Sequence, residues 1–192
     1  MKIITTLALA TSALALASCG PKATPADQNM TADTGMTANG MAANDTAMAP
    51  AAVSPGQAFA NAAAASDAFE ITTSQMAQTS ASAAKVKTYA ANMIKMHTDS
   101  TAKLKATTAG LTPAILPDPA LTPEQQGKVD ALKGKIGKDF DTAYAAAQVE
   151  AHTATLAKLK DYAATGDVPA LKTFASNMVP VVTAHLNAAK GL

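Results

Sequence analysis

The stretch from Lys87 to Lys105, KTYAANMIKMHTDSTAKLK, limits what this chain can fold into, because most of it is written again elsewhere. Its first half returns as KTFASNMV from Lys172 to Val179, 85 residues on. The part from Tyr89 to Lys105 returns 55 residues later as YAAAQVEAHTATLAKLK, Tyr144 to Lys160. Across this region Val86, Tyr89, Ala90, Met93, His97 and Leu104 recur at intervals of three and four. That spacing gathers them on one face of a helix and would scatter them over both faces of a strand. A repeated stripe of this kind has to be buried against other helices. Each copy leads to a histidine, and His97, His152 and His185 are the only three in the chain.

The other segments from Pro55 onward read the same way. Ser54-Pro55 supplies an N-cap and a proline at the first helical position, and Phe59, Ala62, Ala63, Ser66, Phe69, Glu70, Thr73, Met76 and Ala77 follow helical spacing. The polar cluster Thr79 to Ser82 ends that helix, with Ser82 placed to cap the second, which stops at Gly110. Leu111 to Pro123 holds four prolines and is the one long connection. Thr122-Pro123-Glu124-Gln125 then predicts a capping box. The third helix is weakened by Gly127, Gly134 and Gly137, with a break expected near Gly134 to Lys138. It continues through Phe140, Tyr144, Val149, His152, Leu156 and Leu159. Gly166-Asp167 closes it and caps a fourth helix carrying Leu171, Phe174, Ala175, Met178, Val182, His185 and Ala189, with Pro180 inside it. The expected fold class is all-α, an antiparallel four-helix bundle over residues 55–192. The K-T-aromatic-A-x-N-M motif shared by the second and fourth helices suggests a duplicated helical hairpin.

The chain before Pro55 carries an address. Met1-Lys2 is followed by an apolar run to Ala17, too short for a membrane span of about 20 residues and fitting a secretory signal peptide. Leu16-Ala17-Ser18-Cys19 resembles a bacterial lipobox. Residues 1–18 are therefore expected to be removed and Cys19, the only cysteine, to be lipidated and to anchor the protein in the membrane. Gly20 rather than Asp follows the cysteine, which points to the outer membrane, facing the periplasm. Residues 19–54 are read as the lipidated cysteine and a disordered tether, because Gly20 to Ala52 contains no Leu, Ile, Val, Phe or Tyr with which to form a core. Met30, Met36, Met41 and Met48 lie in this tether without a histidine nearby, and a copper-collecting role for them is the sharper alternative to an inert linker.

The three histidines fall on apolar stripes and should point inward. Counted from the short turns at about 1.5 Å per residue, His97 and His152 share a level and His185 lies roughly 7 Å deeper. Glu70 lies roughly 9 Å nearer the turns. A site for zinc or another divalent ion would use His97 and His152, with Glu70 or His185 as a third ligand. The competing reading makes each histidine a hydrogen-bonded core residue. Di-iron carboxylate chemistry would need Glu-x-x-His on two helices, but Ile94, Val149 and Val182 occupy those positions. No serine, cysteine or phosphate-loop constellation suggests an enzyme, so no catalytic residue is assigned. A formal net charge of +1 without any arginine gives no basis for nucleic-acid binding.

Four motifs carry a family resemblance: A-A-x-x-D-A-F-E at Ala63 to Glu70, K-x-Y-A-x-x-M-I-x-x-H at Lys87 to His97, F-D-x-x-Y-x-x-x-Q-V-x-A-H at Phe140 to His152, and L-K-x-F-A-x-x-M-V-P-V-V-x-x-H-L at Leu171 to Leu186. In this order they resemble the bacterial domain of unknown function 4142 family, associated with the outer membrane and similar to ferritin-like bundles. The resemblance implies an exported helical domain in which Glu70, His97, His152 and His185 match recurrent polar positions. Met96 stands where the family usually has an acidic residue, and Ser66, Asp67 and Ala68 stand where it often has glycines. The first expectation is thus an envelope lipoprotein whose bundle is a non-enzymatic binding or structural module; the alternative is a metal-binding ferritin-like protein without di-iron chemistry.

Overall fold

Among the described residues, five α-helices make up most of the chain: α1 (Pro55–Ser80), α2 (Ala84–Thr108), α3 (Pro123–Leu132), α4 (Gly137–Thr165) and α5 (Pro169–Ala189). The structure, a computed structural model, describes residues 53–192. The expected signal peptide, Cys19 and the methionines of the tether lie outside the described residues. Among the described residues there is no strand, only an isolated bridge between Ala81 and Gly137, and no helix is long and apolar enough to cross a membrane. The all-α class is as expected. The element count is five rather than four, because the weak point at Gly134 to Lys138 separates α3 from α4. Gly134 and Gly137 hold φ of 77° and 63° there, a region that side chains with a Cβ rarely enter.

Local chemistry sets most helix ends. The Ser54 hydroxyl accepts from the Gln57 amide at 3.2 Å ahead of Pro55. Thr122 and Gln125 form the expected capping box, at 3.2 and 2.9 Å. Ser82 departs from its expected role. Residue 83 occupies the N-cap of α2, and the carboxylate of Asp141, on α4, takes the Ser82 hydroxyl at 2.6 Å and the amides of Ser82 and Ala83 at 3.1 and 3.0 Å. A distant acid thus satisfies donors near the start of α2. At the other short turn Val168 is the N-cap of α5, and Asp167 instead accepts from the Tyr162 hydroxyl at 2.8 Å.

The long helices pair as two hairpins, α1 with α2 and α4 with α5. Cross-links show that neighbours run antiparallel: Ser74 meets Tyr144 and Ser66 meets Thr155 between α1 and α4, while Lys85 reaches Gly191 and Tyr89 reaches His185 between α2 and α5. The repeated motif plays one role in both hairpins, since Tyr89, Ala90 and Met93 of α2 and Phe174, Ala175 and Met178 of α5 are all buried.

The interior is not uniformly apolar. One cluster gathers Phe59, Leu104, Leu159, Tyr162, Leu171 and Phe174, with the Phe59 and Tyr162 rings stacked at 3.9 Å. The other gathers Val86, Tyr89, Met93, Phe140, Tyr144 and Ala189. Burying each large apolar side chain contributes about 1.5–3 kcal/mol. On each of the four long helices a polar residue or group of residues interrupts the two clusters: Asp67, Glu70, Thr73 and Ser74 on α1, His97 and Ser100 on α2, Gln148 and His152 on α4, and His185 on α5, all buried. A band of this kind costs stability unless something satisfies it.

Candidate metal centre

The three imidazoles meet in that band. Ring centroids lie 5.7 Å apart for His97 and His152, 5.4 Å for His97 and His185, and 5.5 Å for His152 and His185. One nitrogen from each ring falls within 4.8 Å of the others. His185 therefore joins the same level instead of lying deeper. Counting from Gly166 overstated its depth, because α5 begins only at Pro169. Side chains also lean toward the N-terminus of their helix, which brings rings on antiparallel helices toward one another.

Two of the rings are held from behind. His97 Nδ1 lies 2.8 Å from Asp67 Oδ1, and the other oxygen of Asp67 accepts from the Thr101 hydroxyl at 3.1 Å. His152 donates from Nδ1 to the Gln148 carbonyl at 2.9 Å, one turn back on α4. Gln148 is itself fixed, accepting from the Tyr89 hydroxyl at 3.2 Å and donating to Thr73 at 3.2 Å. A hydrogen bond at one ring nitrogen sets what the other can do. The far nitrogens, His97 Nε2 and His152 Nε2, have no partner, and neither has His185 Nδ1. Each of three neighbouring rings, on three helices, thus has a buried nitrogen without a protein partner, which suits imidazole ligation of a cation.

Glu70 stands outside this group. Its Oε1 lies 3.5 Å from His152 Nδ1, the nitrogen that donates to the Gln148 carbonyl, and its Oε2 has no partner. Burial pushes its carboxyl up to about 7 from an ordinary 4.5. Burial likewise pushes His152 down to about 3 and His185 down to about 4, with the neighbouring imidazoles adding to the effect. Burial thus disfavours the charged form of both Glu70 and His152, and with it an ion pair between them. Glu150 is on the outer face, pairing with Lys128 of α3 at 3.0 Å. Asp67 and Gln148 were not picked out as site residues in the sequence. The available signal was spacing: Gln148 precedes His152 by four residues, on the same helix face, and Asp67 precedes Glu70 by three, on the inward face of α1.

Comparisons with known proteins agree with the fold and the family. The chain belongs to the family described as Domain of unknown function (DUF4142), which it matches over residues 41–192. No curated protein matches it. Among solved structures it is similar to "CopM in the Cu(II)-bound form", with a TM-score of 0.60 at 16% identity, over 71% of this chain and 93% of that one.

Proposed function

We propose that this member of the DUF4142 family is a non-enzymatic metal-binding protein of the cell envelope. Its domain is read as a ferritin-like antiparallel four-helix bundle that holds one transition-metal ion through His97, His152 and His185. Two observations carry this reading: one ring nitrogen from each histidine lies within 4.8 Å of the others, and each of the three rings has a buried nitrogen without a partner. Bond lengths of about 2.0–2.1 Å to imidazole nitrogen require only a modest contraction of this set. Three imidazoles suit copper, zinc or nickel, and the likeness to a protein solved with Cu(II) makes copper the first ion to try. Asp67 and the Gln148 carbonyl act behind the ligands, orienting the rings, and Glu70 offers a second buried carboxyl close to the ion's charge.

The test is metal stoichiometry and a melting scan with copper, zinc and a chelator. One ion per chain, and a melting temperature that rises with metal and falls back with chelator, is the expected result. A protein that retains neither metal and whose melting does not respond would return the histidines to a purely structural role. Envelope location rests on the lipobox-like Leu16 to Cys19. Cys19→Ala should move the protein from the membrane fraction to the soluble one, and continued membrane retention would refute lipid anchoring.

A further inference from the structure

Among the described residues four large apolar side chains are exposed, and Met96, at 36%, is the one that lies within a helix. Its flank of α2 is identified by contacts to α5 and the residues just after it: Lys85 Nζ donates to the Gly191 carbonyl at 3.2 Å, and the Tyr89 hydroxyl, shared with Gln148, reaches the His185 carbonyl at 3.4 Å. Met96 follows Lys85 by eleven residues and Tyr89 by seven, so helical periodicity puts it on this same flank. It also precedes the ligand His97, and its side chain leans toward the N-terminal end of α2, toward the level at which His185 arrives. Periodicity and exposure together place Met96 at the outer edge of the face that α2 turns to α5.

The inner edge of the seam between α2 and α5 is His185. It is the most exposed of the three histidines, at 8% against 1% for His152, and its Nδ1 lacks the hydrogen bond that holds Nδ1 of the other two. Pro180, five residues earlier in α5, has no N–H to give the Ser176 carbonyl, which weakens the helix on the approach to His185. The seam thus offers a soft side chain at the surface, an imidazole without a hydrogen bond at Nδ1 beneath it, and a helix that lacks one backbone hydrogen bond at Pro180.

We infer that the α2/α5 seam is the route by which Cu(I) reaches the three-histidine centre, with Met96 as the outer contact and His185 as the imidazole that carries the ion inward. Thioethers favour Cu(I) over zinc, whereas imidazole takes both, so the route discriminates where the destination does not. Copper arrives and is bound as Cu(I): ligands exchange and no electron moves. This inference rests on the proposed metal centre, and the experiment separates the two. Wild type is first shown to retain one ion. Uptake is then timed by mixing the full-length protein with Cu(I) as its weak acetonitrile complex, quenching into excess chelator and counting retained copper.

Met96→Leu, which keeps size and apolarity, is expected to slow Cu(I) uptake and release together by several-fold. Affinity and Zn(II) uptake should be unchanged, and Met76→Leu on α1 should behave as wild type. The route is overturned if Met96→Leu takes up Cu(I) at the wild-type rate. It is overturned equally if Zn(II) uptake slows as much, or if release quickens and affinity falls, which would make Met96 a resident ligand. A wild type that retains neither copper nor zinc removes the centre itself and the route with it.

Discussion

At the scale of single residues, the proposed centre would depend on side chains that supply no ligand atom. Asp67 holds the His97 ring through Nδ1 and is itself steadied by Thr101, so the outward face of the ring is fixed before any metal arrives. Asp67→Asn keeps the size but can present an amide donor where His97 needs an acceptor. The variant should bind metal about 10–100-fold more weakly, measured by competition with a chromophoric chelator, while folding as before. Glu70 sets a different dependence. Its carboxyl is raised from 4.5 to about 7, so in the metal-free protein its contribution to stability is complete below pH 4.5 and is lost as pH rises through 7. His152 and His185, pushed down by burial, work in the opposite sense and withdraw stability as pH falls below their ordinary 6.5. Glu70→Gln removes only the first effect. Urea unfolding of metal-free protein should show the variant gaining roughly 3 kcal/mol on wild type between about pH 4.5 and 7.5; an unchanging gap would mean Glu70 is ionised when folded. The histidines were legible in the sequence as inward residues because their stripes are periodic. The partner of His97 was not, since Asp67 lies on another helix and leaves no local pattern, whereas His152 is tied to Gln148 one turn back on its own helix.

Helix ends show where local reading succeeds and where it stops. Ser54-Pro55 and Thr122 to Gln125 carry their caps within four residues, and both form as the sequence predicts. Ser82 carries the same local signal, yet its hydroxyl turns to Asp141, 59 residues away. That acid lies below the ordinary carboxylate range, first because of the Ser82 hydroxyl and then the amides of Ala83 and Ser82. The junction of α1 and α2 is therefore closed from α4. Asp141→Ala leaves three donors to water and should cost about 1–2 kcal/mol in urea unfolding, as loss of an N-cap does. Ser82→Ala should cost less, because the two amide bonds to Asp141 survive. If the order is reversed, Ser82 rather than Asp141 organises the junction. The break between α3 and α4 was legible for the opposite reason: Gly134 and Gly137 mark it within the segment itself.

For the whole molecule, a polar band across four helices makes stability and function pull in opposite directions. The two apolar clusters would pack as one if the band were apolar, and each buried polar atom left without a partner costs about 1–3 kcal/mol. Four such atoms, on Glu70, His97, His152 and His185, lie in this band. Their convergence could be estimated from sequence only by counting residues from the turns, and it depends on where α5 begins. His185 is the informative position, because its Nδ1 lacks the tie that holds His97 and His152, so its removal separates the two demands. His185→Leu deletes a ligand and an unsatisfied nitrogen while keeping an apolar side chain in place. Metal-free, the variant should be as stable as wild type or about 1 kcal/mol more stable in urea. Its melting temperature should no longer rise with copper or zinc, leaving the metal-loaded wild type the more stable of the two. If the variant is instead less stable than metal-free wild type by several kcal/mol, His185 supports the core in its own right. The band would then be part of the packing rather than a feature kept for an ion.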